Sequence, residues 1–134
     1  MAKQAASRKS PSVQGTFIWH EVYAPDAEAS HRFYADLIGW KTKSMEMGPG
    51  AEYRMFTKGR KDMAGALSTQ MPQMKGVPPH WLTYIGVDNV DATAKQCVKL
   101  GGKVMAPPMN IPVGRMAILT DPQGAAFAVF TSKM

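Results

Sequence analysis

Asp26-Ala-Glu-Ala-Ser-His-Arg-Phe-Tyr-Ala-Asp-Leu-Ile-Gly39 is the stretch on which the fold turns, because a second stretch resembles it closely. Moved forward by 63 positions, it overlies Asn89-Val-Asp-Ala-Thr-Ala-Lys-Gln-Cys-Val-Lys-Leu-Gly-Gly102. Ala29 then meets Ala92, Leu37 meets Leu100 and Gly39 meets Gly102, while Asp26/Asn89, Glu28/Asp91 and Ser30/Thr93 are conservative matches. Each stretch opens on a side chain able to cap the first unpaired N–H groups of a helix. Each carries an acid in its first turn, where the helix dipole favours negative charge, and closes on glycine, which tolerates a left-handed conformation. Apolar residues recur at helical spacing, Ala29, Phe33 and Leu37 in the first and Val90, Ala94 and Cys97 in the second. Both read as amphipathic helices.

The flanks repeat as well. A strand-like run precedes each helix, Thr16 to Tyr23 and His80 to Val87, and several strand-like runs follow each. In the first copy these are 40–47, 51–57 and 63–68, with turns at Gly48-Pro49-Gly50 and Gly59 to Asp62. In the second they are 103–106, 115–120 and 125–130, with a tight turn at Asp121-Pro-Gln-Gly124. Pro107 to Gly114 reads as loop, because its three prolines cannot serve a central ladder. The plan is β-α-β-β-β twice over, an α+β architecture. Residues 1–14 form a flexible basic arm and 15–131 one domain, divided into unit one (15–69), a Pro- and Met-rich connector (70–79) and unit two (80–131). Trp19 meets Trp81 only at a shift of 62, and a one-residue slip in a strand reverses every side chain. The repeat therefore leaves open which face of the strand at 80–87 is turned inward.

At 134 residues with 45% hydrophobic content, the chain is long enough for one real core, and no apolar run reaches membrane-spanning length. No secretory signal is visible at the start, and the single cysteine, Cys97 on the apolar face of the second helix, excludes an internal disulfide. Both point to a cytoplasmic protein, with Cys97 a buried, inert thiol. The net charge of +6 does not make a nucleic-acid partner. Lys3, Arg8 and Lys9 of the arm supply three of the basic groups, and Lys58-Gly-Arg-Lys61, the densest run, reads as a hairpin turn.

With these pieces in order, the chain resembles the vicinal oxygen chelate superfamily of glyoxalase I, bleomycin-resistance proteins and extradiol dioxygenases. The resemblance is carried by Pro25-Asp26, Phe33-Tyr34 and Leu37-Ile-Gly39 in the first unit. In the second it is carried by Val87-Asp-Asn, Leu100-Gly-Gly102, Gly114-Arg115 and Asp121-Pro-Gln-Gly124. It implies paired βαβββ units with curved mixed sheets that enclose a cavity, and a homodimer. Members with metal chemistry hold a divalent ion through His and Glu side chains of the inner strands. Carried over by position, those ligands fall at Trp19, Ala66, Leu82 and Ala128, none of which can bind a metal.

What remains at those positions is an apolar cavity with an aromatic wall, the composition of a small-molecule site. The expected lining is Trp19, Ala66, Leu82 and Ala128, with Glu21, His80 and Tyr84 as its polar groups if strand alternation holds. Methionines such as Met45, Met47, Met55, Met63, Met105, Met109 and Met116 supply adaptable apolar surface, in the core or around a ligand. His20 should point to the opposite face, and His31 should be exposed on its helix. Arg115 is an anion-contacting candidate that surface placement explains better, and Asp121 belongs to its turn. No nucleophile arrangement, P-loop or dinucleotide fingerprint is present, so no catalytic residue is assigned. The leading expectation is a protein of the glyoxalase/bleomycin-resistance type that binds a small, partly apolar molecule without metal or other cofactor. The alternative is a divalent-metal lyase or dioxygenase with displaced ligands, Glu21 and His80 foremost. A third expectation is a protein-binding module that uses the basic arm.

Overall fold

The computed structural model describes residues 13–48, 51–70 and 74–133, with the backbone alone at 47, 48 and 51. The basic arm except Val13 and Gln14, the Gly48-Pro49-Gly50 turn except its first residue, part of the connector and the Met47 side chain lie outside these. Ten elements follow in the order β1 (Thr16–Ala24), α1 (Ala27–Ile38), β2 (Lys41–Gly48), β3 (Ala51–Lys58), β4 (Lys61–Ser68), β5 (His80–Gly86), α2 (Val90–Lys99), β6 (Lys103–Ile111), β7 (Gly114–Thr120) and β8 (Ala126–Ser132). This is the βαβββ plan twice. Each unit's strands form a mixed sheet: β1–β4 and β5–β8 are parallel pairs, and the remaining described pairings are antiparallel.

Both helices start as the caps dictate. The Asp26 carboxylate accepts from the Ala29 N–H at 3.0 Å, and the Asn89 side chain accepts from the Ala92 N–H at 2.9 Å. They end differently. Gly39 takes the left-handed conformation, φ +90°, and its N–H donates to the Ala35 carbonyl. α2 stops earlier, at Lys99, and its left-handed residue is Gly101. Gly102, expected to close that helix, serves a close approach instead, since a Cβ there would lie 2.5 Å from Cys97 Sγ and from the Thr120 carbonyl oxygen.

The chain divides into two compact units, residues 19–83 and residues 84–133 together with 13–18. Within residues 19–83 the strand order is β2-β3-β4-β1, and α1 packs on one face over Val22, Phe56, Ala64 and Ala66. Within the other unit the order is β5-β8-β7-β6, and α2 packs over Ala117, Leu119 and Val129. Full burial of a side chain such as Phe56 or Leu119 stabilises the folded state by about 1.5–3 kcal/mol, and these layers hold the helices in place. Val13 and Gln14 are tied to the second unit. The Gln14 side chain accepts from the Asp88 N–H, and the Gly15 N–H donates to the Gly86 carbonyl.

Three expectations from the sequence are corrected. Pro107 and Pro108 lie inside β6, not in a loop. β6 ends its unit's strand order, and its pairing with β7 shifts register twice, between Val104 and Ala106 and between Ala106 and Met109. Prolines are tolerated at edges and bulges because no ladder donor is required there. His31 is buried, not exposed: its Nε2–H donates to the Met55 carbonyl at 2.9 Å, and its ring meets the Phe56 edge. Finally, the turn between β3 and β4 is only Gly59-Arg60, so β4 begins at Lys61. Among the described residues, no helix is long and apolar enough to cross a membrane.

Candidate functional site

The candidate site lies on the face of residues 19–83 that is turned away from α1. Alternation along β1 sends Val22 to the helix and Trp19, Glu21 and Tyr23 to the other side. Glu21 and Tyr23 are both buried, an unusual setting for a carboxylate. The Tyr23 hydroxyl donates to Glu21 Oε1 at 2.8 Å, and the Tyr53 hydroxyl, from β3, donates to Glu21 Oε2. Trp19 extends this chain, its indole N–H donating to the Tyr53 hydroxyl oxygen at 2.8 Å. Burial, and then the negative charge of Glu21, hold the Tyr53 phenol well above its ordinary pKa, so it remains a proton donor.

Two further features shape the cluster. The His80 ring stacks on Tyr23, with centroids 5.3 Å apart and planes within 8° of parallel. Its Nδ1 lies 2.8 Å from the Pro78 carbonyl, which can only accept, so Nδ1 carries the proton. Gly65 stands opposite Glu21 in the β1–β4 register, and a Cβ there would lie 1.9 Å from the Tyr53 hydroxyl. The missing side chain is what lets Tyr53 reach the carboxylate.

The structure thus brings Trp19, Glu21 and His80 together. Leu82 is fully buried on β5, where the inward residues are Leu82, Tyr84 and Gly86, while Trp81 is exposed. Trp81 belongs to the helix side, its ring edge-on to Tyr34 of α1 at 5.1 Å. Ala66 lies on the α1 side with Val22 and Phe56, one residue from Gly65, so its side chain is on the face opposite to Glu21. Tyr84 and Ala128 belong to the other unit, where they are register partners and both buried. Ala128 alternates with Phe127 and Val129, which pack towards α2, so this pair occupies its unit's face away from the helix.

Tyr53 and Gly65 were missed in the sequence. The signal was present: a glycine inside a strand marks a close approach, and Tyr53 sits two residues from Met55 on one face of β3. Elsewhere, His20 is exposed beside Thr83, and Asp121 accepts from the N–H groups of Gln123 and Ala125, as a turn residue should. Arg115 is committed to Asp91 through two hydrogen bonds of 2.8 and 2.9 Å and also reaches Asn110. That pair borders a shallow hollow of about 430 Å³ in the unit of residues 84–133, and a second hollow of about 570 Å³ is lined by Gln96, Cys97 and Phe127 among others. Neither is lined by any of the expected site residues.

A divalent metal does not fit this donor set. The four carried-over positions offer no ligand, both Glu21 oxygens accept from tyrosine hydroxyls, and no group of three His, Cys, Asp or Glu capable of holding an ion occurs among the described residues.

Comparison with known proteins places this geometry in context. Residues 16–129 match the model of a family described as the Glyoxalase/Bleomycin resistance protein/Dioxygenase superfamily. The chain is 42% identical over 116 residues to a Mycobacterium tuberculosis protein named "Putative glyoxylase CFP32", which covers 86% of this chain and 43% of that protein. It is 35% identical over 129 residues to the anthracycline biosynthesis protein DnrV of Streptomyces peucetius, covering 87% of this chain and 46% of the relative. The chain therefore spans a little under half the length of these relatives. Among solved structures, methylmalonyl-CoA epimerase from Mycobacterium tuberculosis superposes with a TM-score of 0.61 at 13% identity, covering 94% of this chain and 93% of the epimerase, a likeness of fold.

Proposed function

The chain belongs to the Glyoxalase/Bleomycin resistance protein/Dioxygenase superfamily, and from that premise we propose that it binds a small, partly apolar molecule against the ring-lined face of residues 19–83, without the family's metal. The observation that carries this reading is the buried Glu21, held by Tyr23 and Tyr53 within a wall of Trp19 and His80. A group perturbed by burial together with a specific charged neighbour, as Tyr53 is beside Glu21, is of the kind that clusters at functional sites. Trp19, Tyr53 and His80 are only half-buried, which leaves the network a side through which a ligand reaches it. Aromatic side chains with a few converging polar groups are what line small-molecule sites. The relatives named for glyoxylase function and for anthracycline biosynthesis both point to small molecules.

The reading includes a homodimer in the cytoplasm, with neither nucleic acid nor membrane as partner. Ligand binding should quench or shift tryptophan fluorescence, and Trp19→Ala should remove most of that response. An unaltered response in the variant would overturn the assignment. Metal analysis provides the second check: protein offered Zn, Ni, Mn, Co and anaerobic Fe(II) should retain almost none after desalting. Close to one tightly held ion per chain would replace this reading by the metal-dependent one.

A further inference from the structure

We infer that the outward side of α1 is the surface through which two copies of this chain associate. This rests on the homodimer in the reading above and names its contact. α1 does not bury the stripe that marks it as amphipathic. Ala29, Phe33 and Leu37, spaced by four, share one side of the helix. His31 stands two residues from both Ala29 and Phe33, on the far side, and it is His31 that is buried. Phe33 is 57% exposed and Leu37 67%. Trp81, 42% exposed, widens the patch, because Phe33 lies edge-on to Tyr34 and Tyr34 edge-on to Trp81, each at 5.1 Å. The Trp81 indole N–H donates to the Tyr34 hydroxyl at 3.1 Å, which holds the exposed ring in place. The fold does not ask for such a surface. At the position equivalent to Phe33, α2 carries Gln96, which is exposed.

Size and charge select a second copy. The exposed parts of Phe33, Leu37 and Trp81 amount to about 350 Å². A stable interface covers about 800 Å² on each partner, with an apolar centre inside a polar rim, so the patch has the size of such a centre. Its rim is self-complementary. Arg32 and Asp36, both exposed, lie one turn apart on one flank of the stripe. A two-fold axis across the middle of α1 sets two copies antiparallel with like flanks together. Arg32 of each copy then meets Asp36 of the other, and the contact closes on itself. Arg32 also holds Glu28 of its own helix at 3.0 Å, and its five donors can serve both carboxylates. A lipid surface would call for a basic rim, whereas Glu28 and Asp36 outnumber Arg32 here.

Sedimentation of the whole chain over a range of concentrations tests this. The wild type should form a dimer. Phe33→Gln, which gives α1 the residue that α2 already carries, should raise the dissociation constant at least about 30-fold, as loss of a central anchor does. Arg32→Glu and Asp36→Lys should each weaken the dimer several-fold by setting like charges together, and the two combined should recover most of the loss. All three positions are exposed, so these chains should fold as the wild type does. A dimer untouched by Phe33→Gln would overturn this surface and leave the homodimer standing. Absence of recovery in the combined variant would overturn the antiparallel contact. A wild type that stays monomeric would overturn the homodimer and its surface together, and Phe33-dependent binding of that monomer to phosphatidylcholine vesicles would give the patch to a membrane instead. None of these substitutions lies on the face of Trp19, so the ligand response there is read independently.

Discussion

At positions related by 63 residues, the two units bury different chemistry on the face turned away from their helices. Residues 19–83 place Glu21, Tyr23, Tyr53 and Gly65 there; the equivalents in the other unit are Tyr84, Gly86, Met116 and Ala128. One set is a carboxylate clasped by two phenols, and the other is mostly apolar. The helix-facing layers differ far less. Phe56 and Leu119 are equivalent, as are Ala66 and Val129, and Ala27 and Val90, all apolar and packed in the corresponding clusters. The difference teaches which layer the fold requires. The helix side needs only apolar bulk of the right volume, whereas the other face is where composition can change and chemistry can be built.

The comparison breaks first, and with the largest effect, in the shared layer. Phe56→Ala should cost about 3–5 kcal/mol and Leu119→Ala about 2–5 kcal/mol in denaturant unfolding, because each leaves a cavity in a layer with no exposed volume to collapse. A loss below about 1 kcal/mol in either would mean that its helix layer is not the stabilising one.

The next test separates the units. Gly65→Val forces the Tyr53 hydroxyl off Glu21 and should destabilise by about 2–3 kcal/mol, as overpacking does. Ala128→Val, at the equivalent position, extends an existing side chain instead of placing a new one against the Tyr53 hydroxyl, and should be milder. Equal costs would show that the polar cluster adds no special constraint. Tyr23→Phe removes one donor from the buried carboxylate and should cost about 1.5 kcal/mol. A neutral result would mean that Glu21 has no need of that hydroxyl.

The smallest effect concerns pH. Because the folded pKa of Tyr53 is raised above its unfolded value, the folded chain holds the proton more tightly. Its contribution is fully present below the ordinary phenol value of about 10 and is lost as pH rises above it. Melting temperatures measured between about pH 9 and 11 should therefore fall, and fall less steeply in Tyr53→Phe. Parallel slopes would remove Tyr53 as the cause.

Much of this was legible in the sequence, and the misses have physical causes. That Trp19 and Glu21 share a face of β1 follows from alternation, since a strand has only two faces, whereas His80 depended on the face of β5, which the sequence left open. Ala66 lies on the opposite face because the 63-residue shift pairs Ala128 with Gly65, its neighbour along β4. His31 shows the same lesson. It is the equivalent of Ala94, a buried position, but a histidine on an amphipathic helix looks polar until the Met55 carbonyl that satisfies it is in view. β6 was cut short because prolines exclude a central strand but say nothing about an edge.

By itself the sequence determined the duplicated βαβββ plan, the helix starts and the tight turn at Asp121. These rest on local chemistry: capping, periodicity and turn residues are properties of neighbours along the chain. Only the tertiary structure decided which face of β5 turns inward, sending Leu82 and Tyr84 one way and Trp81 the other. It alone joined Tyr53 to Glu21 across 32 positions and showed why Gly65 must lack a side chain. Those facts depend on register between distant strands, and register is set by the summed packing of a whole face.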